Sequence, residues 1–187
     1  MLAIITEEQI REIENKRSLV GVFLDRAYNL EKIEWILEAR RGFDLHAGDS
    51  WHLLLPIQSG RRVGYQLHEK VRPEDFGIQL AAAIIDRLEI GFADLPCVAF
   101  RAMDQEFFYL KLGGRSRPEF LEEIGRIADI SRRCQIESNS EGQEFREYVN
   151  MHVANHMRRR RILSAARSAL PAIGALIGGA VDVRELV

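Results

Sequence analysis

The sequence predicts an α/β protein: a three-layer domain with a mixed four-stranded sheet, followed by a C-terminal amphipathic helical arm. Three observations predict it. Residues 19–24 and 51–57 are continuous apolar runs, the composition of strands buried on both faces. A helical pattern lies between them, so a right-handed crossover sets the two strands parallel. Two further apolar runs, 97–102 and 106–112, are joined by Met103-Asp104-Gln105, a hairpin-length connection that makes them antiparallel.

The elements follow in order. Thr6-Glu-Glu-Gln9 has the capping-box spacing and predicts a short helix from about residue 7 to 15. Its only apolar residues are Ile10 and Ile13, which suits a helix laid across one edge. After the first strand, a helix over 30–40 places Leu30, Ile33 and Leu37 on one face, leaves Trp35 off it, and stops at Gly42. Residues 58–73 are polar and contain Gly60 and Gly64, so they read as a long loop with a short strand at 63–67. The clearest helix runs from Pro73 to Gly91, with Ile78, Ala81, Ile85, Leu88 and Phe92 in one stripe. Beyond the hairpin, Ser116-Arg-Pro-Glu119 is a second capping box with proline in the first turn. It opens a helix that carries Phe120, Ile124, Ile127 and Cys134 inward.

The order α-β-α-β-α-β-β-α, with Pro96 opening the third strand and Gly113-Gly114 ending the fourth, resembles the thioredoxin-like fold superfamily. The resemblance implies a domain over residues 1–137 and a basic, amphipathic extension over 138–187. Where a redox-active relative carries C-x-x-C, this chain offers Asp25, Arg26, Ala27, Tyr28 and Asn29, none of them a thiol. Asn29 suits the N-cap of the helix that follows. Thiol–disulfide exchange of the usual kind is excluded at that turn, so the resemblance is to a redox-inactive member. It further implies a cis bond at Pro96 and a groove for extended peptides at Tyr28, Asn29, Leu95, Pro96 and Cys97.

Other candidate chemistry is thin. Cys97 and Cys134 sit in apolar patterns far apart, the setting of buried thiols in a reducing cytoplasm. Nothing basic in sequence beside Cys97 would lower its pKa for a single-cysteine redox role. Asp44, His46, Asp49 and His52 are chemically capable of holding zinc or iron. Their spacing matches no known motif, however, and Asp, Gly and Ser belong in a turn before a strand, so neither metal nor cofactor is expected. His152 and His156 share a helix face but lack the glutamate of H-E-x-x-H, which leaves a helix-face or interface pair.

Charge shifts attention to the C-terminus. The net charge is −2, yet the segment from Met157 onward carries six arginines against Asp182 and Glu185, so an acidic body bears a basic tail. Arg158, Arg159, Arg160 and Arg161 precede a seam of Leu163, Ala166, Leu170, Ile173, Ile177 and Ala180 at helical spacing. The glycines among them, Gly174, Gly178 and Gly179, permit close helix approach. As a membrane span, residues 162–181 are near break-even: the apolar side chains contribute roughly −2 to −4 kcal/mol against roughly +3 for a central Arg167. The opening Met-Leu-Ala-Ile-Ile has no basic leader before it turns acidic, so a cytoplasmic protein, peripheral at a membrane if attached to one, is expected.

The expected function is a non-enzymatic protein-binding module whose C-terminal helix mediates oligomerisation or attachment to a partner or an anionic membrane surface. Nucleic acid is an unlikely partner for an acidic body whose arginines have no interleaved aromatics. The alternatives are a single-cysteine redox or metal-dependent enzyme, or a membrane-perturbing effector acting through the C-terminal helix.

Overall fold

The computed structural model describes residues 1–6, 9, 13, 17–26, 30–58, 71–101, 107–159 and 163–166. Strand β2 (Leu19–Leu24) is buried at all six positions, as its unbroken apolar sequence requires. Gly21 within it admits close packing, because a Cβ there would stand 3.0 Å from Val98 Cγ1. Strand β3 (Trp51–Pro56) lies parallel to β2, with Leu19 opposite Trp51. On the other side β4 (Cys97–Arg101) runs antiparallel to β2, and β5 (Phe107–Lys111) runs antiparallel to β4. The expected parallel pair and hairpin are both present.

The sheet is wider than the four strands expected. Strand β1 (Leu2–Ile4) pairs parallel with β3, giving five strands in the order β1-β3-β2-β4-β5. A short β6 (Leu163–Ala166) adds antiparallel to β5 at the far edge. Three residues are too few to show a period, which is why β1 escapes a reading of the sequence. The β6 segment was expected at the head of the amphipathic helix, and Leu163 instead occupies a strand. Pairing with a distant edge overrides its local helical spacing.

Among the described residues, four α-helices of ten residues or more cover the sheet. Helix α1 (Glu31–Ala47) runs through Gly42 and ends at Gly48, whose φ of +53° favours glycine. Trp35, expected off the buried face, is buried instead and meets Phe120 edge to face at 5.5 Å, with the Lys32 ammonium 3.3 Å from its ring centroid. Helix α2 (Ile78–Arg87) is shorter than the expected 73–91, and a 3₁₀ turn at Pro73–Asp75 replaces its start. Ala81, Ile85 and Leu88 are buried, whereas Ile78 and Phe92, the ends of the expected stripe, are exposed.

Helix α3 (Arg117–Glu137) begins at the expected capping box: the Ser116 N–H and Oγ–H donate to Glu119 Oε2 at 2.9 and 2.7 Å. Its Phe120, Ile124, Ile127 and Cys134 are all buried, as expected. Helix α4 (Gly142–Arg159) packs on α3 and sinks Phe145, Val149, Val153 and Met157 completely into the same core. Residues 142–159, read from sequence as the start of an extension, thus share the hydrophobic core of the domain before them. Among the described residues, no helix is long and apolar enough to cross a membrane.

Several expectations fall outside the described residues: most of the helix at 7–15, the strand at 63–67, the connection at 103–105 and the seam residues Leu170, Ile173 and Ile177.

Candidate functional site

The site lies at the end of the sheet where β2 finishes and β4 begins. Antiparallel pairing sets Leu24 opposite Cys97, so Asp25 and Arg26, just past β2, emerge beside the segment that enters β4. That segment is a 3₁₀ turn, Phe92–Asp94, followed by Leu95 and Pro96. The Leu95–Pro96 bond is cis. The Pro96 carbonyl accepts from the Leu112 N–H at 2.8 Å, which fixes the segment against the end of β5. Gly113 is required by close approach, because a Cβ there would stand 2.5 Å from the Leu95 carbonyl oxygen.

Asp94 ties this turn to the sheet. Its carboxylate accepts from the Tyr109 hydroxyl at 2.6 Å and pairs with the Lys111 ammonium. Burial pushes the Asp94 carboxyl up, but the hydrogen bonds from Lys111 and Tyr109, with the Lys111 charge, hold it below its ordinary value. Tyr109 and Lys111 are two apart on β5 and so lie on one face of the strand. On the opposite flank Arg26 pairs with Asp86 of α2. Phe92 projects from the turn, 70% exposed.

Cys97 lies directly beneath and is fully buried. Burial first, then the neighbouring charges of Asp94 and Asp25, push its thiol far up from the ordinary value. Fully buried, it presents no surface to a groove, and the raised pKa favours the protonated thiol, the less nucleophilic form, at neutral pH. Cys134, buried on α3, is pushed up to about 11, chiefly by burial and then by Glu137.

The other candidates are dispersed. Asp44 and His46 stand on the last turns of α1, Asp49 in the turn after it, and His52 inside β3. Asp44 pairs with the Met1 ammonium, while His46 Nε2 lies 2.8 Å from Asp129 of α3. Among the described residues, no group of three or more His, Cys, Asp or Glu side chains is placed to hold a metal ion. His152 contacts the Tyr148 ring at 4.6 Å, and His156 Nε2 stands 3.7 Å from the buried Glu123 carboxylate of α3. Arg126 and Arg115 approach that same carboxylate at 3.6 and 4.0 Å.

Of the groove residues that the resemblance implies, the structure brings Leu95, Pro96 and Cys97 to the end of β2. Leu95 is half-buried and Pro96 buried. Tyr28 and Asn29 fall outside the described residues, as do Arg160 and Arg161. Arg158 and Arg159 close the last turn of α4.

Compared with known protein families, curated proteins and solved structures, the chain matches none. The arrangement therefore carries the functional argument alone. Reading the sequence missed the Asp94–Tyr109–Lys111 clamp. Its available signal was the polar pair set two apart in an aromatic strand, opposite an acid just before a proline.

Proposed function

We propose that this chain is a redox-inactive, thioredoxin-like protein-binding module, with its C-terminal segment providing self-association or attachment to a partner or an anionic membrane surface. One observation carries the reading. A proline-led segment is tied to β5 through Asp94 at the end of a β1-β3-β2-β4-β5 mixed sheet, while the thiol beside it is buried and its pKa raised. A backbone segment held by such contacts beside an exposed aromatic is suited to holding a partner chain, because a segment already tied in place loses little ordering entropy on binding. The buried Cys97 argues against the single-cysteine enzyme.

The attachment half of the reading rests on the basic run at the end of α4 and the apolar residues that follow it. The test compares the full chain with one ending at Arg159, by light scattering and by co-sedimentation with anionic vesicles. The full chain is expected to associate or to sediment with vesicles, and the shorter one to remain a folded monomer in solution. Identical behaviour of the two overturns the reading. The truncation has to follow Arg159, because cutting near Asn139 would remove Phe145, Val149, Val153 and Met157 from the core.

A further inference from the structure

We draw no further inference here: the strongest candidate, the side-chain cluster between α3 and α4 in which the buried Glu123 carboxylate meets Arg115, Arg126 and His156, joins its charges to one another across the helix interface, and nothing in the structure shows a ligand that would enter it.

Discussion

Phe145→Ala measures how firmly α4 belongs to the body. Phe145 is fully buried between α4 and the rest of the core, and the Arg17 guanidinium sits 5.3 Å from its ring centroid. Removing a buried phenyl ring costs about 3–5 kcal/mol in lost transfer energy and residual cavity. Losing the partly exposed cation–π contact adds about 0.5–1 kcal/mol. For a chain of this length, each kcal/mol lowers the melting temperature by roughly 2–4 °C, so a fall of roughly 7–24 °C is expected. Urea denaturation followed by far-ultraviolet circular dichroism and tryptophan fluorescence is the assay, with both signals moving together. Met151→Ala on the same helix is the control: Met151 is 53% exposed, and its loss should change stability by no more than about 0.5 kcal/mol. A loss below about 1 kcal/mol in Phe145→Ala, or two separated transitions in the wild type, refutes the placement of α4 in the core.

The remaining predictions concern the end of the sheet. Gly113→Ala forces a methyl against the Leu95 carbonyl and should cost about 1–3 kcal/mol, read as a lower urea midpoint; an unchanged midpoint contradicts the packing. Asp94 has a lowered folded-state pKa, so its contribution is present above the unfolded value and lost as pH falls through the folded one. Tyr109→Phe should therefore destabilise at pH 7 by about 1–2 kcal/mol and by less at pH 3, and equal losses at both would remove Asp94 from the account. Cys97 and Cys134 should resist a thiol-reactive chromophore at pH 8 until urea unfolds the chain, since burial raises both thiols; rapid labelling of Cys97 in the native protein would revive a reactive-cysteine role.

The parts legible in the sequence were those in which local pattern and tertiary burial agree. Residues 19–24 and 51–57 announce doubly covered strands because no polar residue interrupts them except His52. Ser116 and Glu119 announce a helix start because the capping box is a local bond. Trp35 was misjudged because periodicity finds the best-aligned stripe, whereas an aromatic at its margin swings inward to meet Phe120. Gly42 reads as a helix stop, yet a Cβ there would meet nothing within 4 Å, so it is a tolerated glycine in a helix held by its neighbours. The clamp around Asp94 is only faintly marked in the sequence, because its partners come from a strand that pairing, not sequence proximity, brings near. β6 was misread for the same reason, since its conformation belongs to β5 more than to itself.

The order of the strands also bears on where the sheet can be extended. β1 and β6 close opposite margins of the sheet, five strand spacings or roughly 24 Å apart. They differ in kind, since the margin at β1 offers only three paired residues. So short a strand presents few backbone groups to a further strand. The margin at β1 is thus blunted by its brevity, one of the ways in which sheet edges avoid pairing with other chains.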